Sequence, residues 1–288
     1  MKLATALRLG RVSNLPTVVS NVLAGLVLSG GMLGTGSIVA LCVAMACMYV
    51  GGMYLNDAFD REHDRRERKE RPIPTGQVRA ATVFAIGFGL LLAGIALTAV
   101  LALGTPDGLG AAPVGAMCGL GSLIVLYDLN HKGNALSPVI MAANRVLVYV
   151  VTGLRAAVAL GAELWLGAGA LACYLTGLTY AAKQEGRGVL RRTWPLLLLA
   201  APLGYLLRPQ VQAAAIAAVA FTAWTAFNLR LLLVAQHRDV KRAVSQLIAG
   251  IALLDAWLVA QHGSEALAAG CAACFLLTLG LQRYVPGT

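Results

Sequence analysis

Apolar runs of about 20 residues recur from one end of this 288-residue chain to the other. That is the length a helix needs to cross a hydrocarbon core of roughly 30 Å. Without water in the bilayer, backbone N–H and C=O groups must bond within the segment, so each spanning run is expected to be helical. The runs follow one another too closely for a separate soluble domain, and residues 1–288 are read as a single unit. Composition agrees, since 58% hydrophobic and 12% charged residues leave too little polar surface for a water-soluble globule of this size.

Hydropathy and punctuation place ten segments at 13–31, 36–57, 80–103, 109–127, 138–160, 163–182, 193–207, 210–234, 243–262 and 264–283. The seventh is short and carries two prolines, and without it nine remain. The expectation is an all-α, polytopic transmembrane bundle of nine to ten helices. The first segment follows the N-terminus with no small-residue cleavage site, so no signal peptide is expected. Cys42, Cys47, Cys118, Cys173, Cys271 and Cys274 all lie in apolar runs, which argues against a disulfide framework or a zinc cage. The 32 glycines suit close helix packing in lipid.

The net charge of +10 is distributed unevenly. With ten segments, 20 of the 23 Lys and Arg residues fall on one face, Arg208 falls on the other, and Arg145 and Arg155 lie within segment five. By the positive-inside rule the charged face, with both termini, is cytoplasmic, and the expected location is the cell inner membrane. The charge is thus a signal of topology and of affinity for anionic lipid head groups. Basic strands interleaved with aromatics are absent, so nucleic acid is not an expected partner.

Against this background, residues 54–76 read YLNDAFDREHDRRERKERPIPTG. If the second helix continues into this stretch, Asp57, Asp60 and Asp64 share one face, with Asn56 one turn from Asp60. Stacked carboxylates repel one another. A hard divalent cation relieves the repulsion, and Mg²⁺ characteristically combines one or two carboxylates with waters and phosphate oxygens. The basic tail Arg65, Arg66, Arg68, Lys69 and Arg71 offers bidentate donors to phosphate. Spacing alone leaves a second reading open, a solvated charge run that anchors the loop on the cytoplasmic side.

The whole phrase, N-D-x-x-D-x-x-x-D at Asn56, Asp57, Asp60 and Asp64 followed by Arg71-Pro72-Ile73-Pro74-Thr75-Gly76, resembles the first aspartate-rich motif of the UbiA superfamily of intramembrane prenyltransferases. Arg11 to Thr17 resembles that family's first helix, with Asn21 one to two turns further in, and Tyr127 to Pro138 sits where the family has a Tyr- and Lys-containing loop. The resemblance implies a bundle around a central cavity opening to the cytoplasmic face. It also implies Mg²⁺ bridging the aspartates to an isoprenyl diphosphate, whose tail lies in an apolar tunnel.

The family's second motif, D-x-x-x-D, corresponds here to LTYAAKQEGRG, with Tyr180, Lys183, Glu185 and Arg187. One acid is left, and a lysine stands near the place of another. Either Lys183 supplies a fixed positive charge in place of a second metal, with Glu185 the sole second-site metal ligand, or the site binds a prenyl lipid without turning it over. TYAAKQE together with NHKGNALSP is similar to the divergent EboC-like branch of the family.

Ionisable groups inside a membrane helix mark a cavity or a buried partner. Asp255, about twelve residues into segment nine, and Arg145, about seven into segment five, are each read as cavity-lining or as structural, with Asn144 and Tyr149 beside Arg145. Serine-hydrolase, zinc-protease and nucleotide-binding signatures are absent.

The expected activity is therefore Mg-dependent transfer of a prenyl group from an isoprenyl diphosphate to a membrane-associated or small aromatic or polar acceptor, releasing pyrophosphate. Asp57, Asp60 and Asp64 would hold the metal, and Asp57, Asp60, Asp64 and Lys183 would serve catalysis. Asn21, Asn56, Arg71, Tyr127, Lys132, Asn144, Arg145, Tyr180 and Arg187 would bind the diphosphate and line the cavity. The alternative is a prenyl-lipid-binding or transport protein of the same fold. A transporter should show paired interrupted helices in two matching halves, yet only segment seven looks interrupted. A CDP-alcohol phosphotransferase should carry D-G-x-x-A-R, which is absent.

Overall fold

The computed structural model describes residues 1–103, 110–157, 159–184 and 193–287. Among them there is no strand. The chain runs through α1 (Leu3–Leu9), α2 (Leu15–Leu28), α3 (Thr35–Phe59), α4 (Arg61–Glu67), α5 (Ala80–Leu103), α6 (Ala112–Asn130), α7 (Ser137–Ala156) and α8 (Ala162–Ala182). A 3₁₀ helix (Trp194–Leu207) follows, then α9 (Gln212–Leu233), α10 (Val240–Gln261) and α11 (Glu265–Leu281).

Each of the ten apolar segments read from the sequence is helical, but they differ in reach. Among the described residues seven helices are long and apolar enough to cross a membrane, and eight if the bent pair of α1 and α2 counts as one span. The sequence count of nine to ten also included α11, of 17 residues, and the 3₁₀ helix, of 14. Pro195 and Pro202 remove backbone donors from that segment, and it winds more tightly than an α-helix. Proline opens α2, α6 and α7, where the missing N–H would have been unbonded anyway.

α10 is the central helix. Every residue from Ala249 to Ala260 is buried, as expected of a helix that is apolar all round, and it packs on α2, α8, α9 and α11. α2 also packs on α3 and α7, so it joins two apolar cores. One core gathers residues of α2, α7, α8, the 3₁₀ helix, α9, α10 and α11; the other gathers residues of α2, α3, α5, α6 and α7. Exposed side chains such as Val43, Leu92, Val100, Ile216, Val219 and Leu276 face outward, where lipid tails cover them at no hydrophobic cost.

A third, small core of Leu9, Tyr54, Ala58, Ile73, Val78 and Val83 pins the loop after α4 onto α1, α3 and α5. Gly76, at φ +74°, ends this loop in a left-handed turn that a side chain would strain. The loop is thereby held in place, and Arg71 with it.

Candidate active site

α3 stops at Phe59, and Asp60 (φ −77°, ψ −5°) passes the chain into α4 without losing the helical sense. The Asp60 N–H bonds the Asn56 carbonyl and the Asp64 N–H bonds the Asp60 carbonyl, both at 2.9 Å. Asp57, Asp60 and Asp64 are all buried, at 7, 9 and 2% exposure. The continuous face expected from their spacing is present.

Each acid has different company. Asp57 Oδ1 accepts from Arg71 Nη1 at 2.6 Å and from Arg11 Nη2 at 3.4 Å. Arg71 Nη1 also reaches Asp64 Oδ2, at 3.4 Å, so one guanidinium ties two acids. Asp60 pairs with Lys132 Nζ at 2.7 Å and His131 Nε2 at 3.4 Å. Arg11 reaches its place from a left-handed backbone (φ 41°), at a 57° bend between α1 and the following helix. A non-glycine residue in that conformation costs on the order of 1 kcal/mol or more, and such strain collects at functional sites.

These environments separate two neighbouring carboxyls. Burial alone would raise Asp60, but hydrogen bonds from His131 and Lys132, and their charge, outweigh it and hold the group below the usual carboxylate range. Asp64 moves the other way, raised by burial and by the nearby Asp60 and Asp57 charges against the pull of Arg71.

The acidic face borders a cavity of about 340 Å³, within the range of small-molecule sites. Its mouth carries Asn56, Asp60, Asp64, Arg68, Arg71, Tyr127, Asp128, His131 and Lys132. Deeper in, the wall is apolar, with Val18, Met45, Met48, Leu120, Ile124, Val148, Leu178 and Ile251. The arrangement takes an amphipathic guest with a charged head and an oily tail.

Of the residues singled out from sequence, Asn56, Asp60, Asp64, Arg71, Tyr127, Lys132, Asn144, Arg145 and Lys183 line this cavity. Tyr127 stacks on the His131 ring at 5.0 Å. Lys183 stands at the rim, its Nζ donating to the Asn134 carbonyl at 2.6 Å and to Ser137 Oγ at 2.8 Å. Asp57 is not part of the lining and holds Arg11 and Arg71. Tyr180 is off the lining, and Glu185 and Arg187 lie outside the described residues. Of the basic tail, Arg68 and Arg71 border the cavity, whereas Arg65 pairs with Glu62 on the exposed surface.

Asn21 does not line the cavity. Its amide donates to Asp255 Oδ2 at 2.8 Å and accepts from Arg145 Nη1 at 2.9 Å. Asp255, fully buried, also accepts from Ser20 and Tyr149, while Arg145 donates to Thr17 at 3.0 Å and lies over the Tyr49 ring. Asp255 is thus a structural centre tying α2, α7 and α10, and of the two readings left open for it the cavity-lining one fails.

Two further residues join the site, Arg11 and Asp128. Arg11 carries no signal in the sequence beyond its place in the stretch from Arg11 to Thr17. Hydropathy ends the fourth segment at 127, whereas α6 runs on to Asn130 and carries Asp128 on the cavity wall. Among the described residues no three acids or histidines converge as a ready metal cage. The donor chemistry nevertheless suits a divalent cation, because Asp64 Oδ1 and Asp128 Oδ2 are buried with no hydrogen-bond partner.

The model of the UbiA prenyltransferase family matches residues 18–269. None of the curated proteins matches the sequence. Among solved structures, a digeranylgeranylglyceryl phosphate synthase superposes with a TM-score of 0.62 at 16% identity, over 90% of this chain and 98% of the other. A UbiA homologue from Archaeoglobus fulgidus bound to DMAPP and Mg²⁺ superposes with a TM-score of 0.53 at 14% identity, over 94% and 99%. The same homologue bound to GPP and Mg²⁺ gives 0.52 at 14% identity, again over 94% and 99%. At these identities the likeness to solved structures establishes the fold.

Proposed function

The chain belongs to the UbiA prenyltransferase family, and from that premise we propose that it transfers a prenyl group from an isoprenyl diphosphate to a membrane-associated or small aromatic or polar acceptor, releasing pyrophosphate. The observation that carries this reading is the two-part cavity, charged at its mouth and apolar along its depth. The Archaeoglobus homologue of the same fold was captured with DMAPP or GPP and Mg²⁺.

Asp60 and Asp64, supported by Asp57 and Asn56, would hold Mg²⁺, with Glu185 as a ligand from the second motif of the sequence. Bound there, Mg²⁺ would neutralise the diphosphate and improve it as a leaving group. Arg71, held by Asp57, and Lys132, paired with Asp60, each keep further N–H groups that can donate to phosphate oxygens. Arg187 and Lys183 would add positive charge. Two protein acceptors leave Lys183 one of its three N–H groups for a phosphate. As the allylic C–O bond breaks, its electron pair leaves with the diphosphate, and these cations stabilise that charge. The acceptor then bonds to the freed carbon and gives up a proton. The wall formed by Met45, Met48, Leu120 and Val148 holds the tail and keeps out water, which would otherwise capture the cation. The mouth, with both chain termini, faces the cytoplasm of an inner membrane.

The test is pyrophosphate release by purified protein given prenyl diphosphates of several lengths and a panel of acceptors, with products read by mass spectrometry. Asp60→Ala and Asp64→Ala should each lower turnover on the order of 100-fold or more. Full activity in both variants overturns the site. A diphosphate that binds tightly but is never consumed would favour the lipid-binding alternative.

A further inference from the structure

Asp128 has the same defect as Asp64, a buried carboxylate oxygen with no hydrogen-bond partner. It stands on a different helix, α6, at 5% exposure on the wall of the same cavity. Its Oδ1 accepts from Asn56 Nδ2 at 3.0 Å, which clamps the side chain beside the acidic face of α3. Four basic groups around the mouth are engaged by other acids. Arg11 and Arg71 bond Asp57, while Lys132 and His131 pair with Asp60. An unpartnered oxygen of this kind is costly to bury, the more so when charged. Donors stand close by, yet the fold leaves this one bare.

We propose that Asp128 is a ligand of the divalent cation, supplied by α6 in place of the second acid absent from the stretch after α8. Three features combine in it: burial, an oxygen without a donor, and a place on the cavity wall beside Asn56 and Asp60. Lys183, near the expected position of the absent acid, is turned to Asn134 and Ser137. The inference rests on the metal-dependent reading of the site and adds a residue to it.

The experiment measures Mn²⁺ binding, as a spectroscopic stand-in for Mg²⁺, by electron paramagnetic resonance of detergent-solubilised protein with inorganic pyrophosphate present. Wild type, Asp128→Asn and Asp60→Asn are compared. The amide keeps an acceptor for Asn56 and removes only the charge. Asp128→Asn should weaken Mn²⁺ binding tenfold or more with an unchanged unfolding midpoint. An affinity within twofold of wild type overturns the proposal. If Asp60→Asn weakens binding and Asp128→Asn does not, this inference falls alone. If wild type binds no Mn²⁺, the metal-dependent reading falls and the inference with it. Should Asp128→Asn fail to fold, Asp128→Ser is measured in the same way against the same limits.

Discussion

Asp255 and Asp128 are both acids on apolar helices, and both are buried. Asp255 accepts hydrogen bonds from Ser20, Asn21 and Tyr149, with Arg145 held one step behind through Asn21. Asp128 accepts one, from Asn56, and leaves its second oxygen bare. Asp255 is off the cavity and Asp128 on it. Depth in the membrane therefore does not separate a structural acid from a functional one. What separates them is whether the protein itself supplies all the partners the charge requires.

The comparison is sharpest at Asp255. Asp255→Ala strands three donors inside the bundle and should destabilise it by about 3–5 kcal/mol. The expected result is loss of monodisperse protein on size exclusion and a lower thermal midpoint. Asp255→Asn, which keeps an acceptor, should lose much less. An alanine variant as stable as wild type would break the contrast. Next in size is Asp57→Ala, which releases Arg11 and Arg71. The bundle should survive, while the KM for prenyl diphosphate rises on the order of tenfold, about 1.4 kcal/mol; an unchanged KM would show that Asp57 does not position those cations. Tyr149→Phe takes one donor from Asp255 and should cost roughly 1 kcal/mol of stability, with Mn²⁺ affinity unaltered. The smallest effect is expected at Arg65→Gln. That pair with Glu62 is exposed, and its loss should shift stability by less than about 0.5 kcal/mol and leave turnover alone. Arg65 and Arg71 lie six residues apart in one charge-rich stretch, so a large effect at Arg65 would erase the distinction between its solvated and buried halves.

Much of this was legible from sequence because bilayer thickness makes hydropathy a ruler. The ten helical segments fall where apolar runs predicted them, and the acids of α3 and α4 share the face their spacing required. Reach was less legible. The segment from Trp194 forms a short 3₁₀ helix because Pro195 and Pro202 alter its winding, which hydropathy does not register. α6 runs three residues past the end of its apolar run at 127, and Asp128 lies in that extension. Polar residues in a last helical turn look like loop until tertiary partners such as Asn56 are known. For Asp255, Arg145 and Asn21, sequence gave depth along a helix but not the neighbour each would meet. Only the packing of α2, α7 and α10 shows that Asn21 joins a buried network with Asp255 and Arg145.

The place of Asp255 also bears on how the chain is made. α10 is among the last helices to leave the ribosome, and a lone carboxylate at mid-helix raises its insertion cost by about 2.5–3.5 kcal/mol. Its partners Ser20, Asn21 and Tyr149 are synthesised long before. Until α10 arrives, α2 and α7 carry two hydroxyls and an amide without their final acceptor. Insertion of the late helix and closure of the network are therefore one coupled event, and a chain truncated before α10 should be held by membrane quality control as an unfinished bundle.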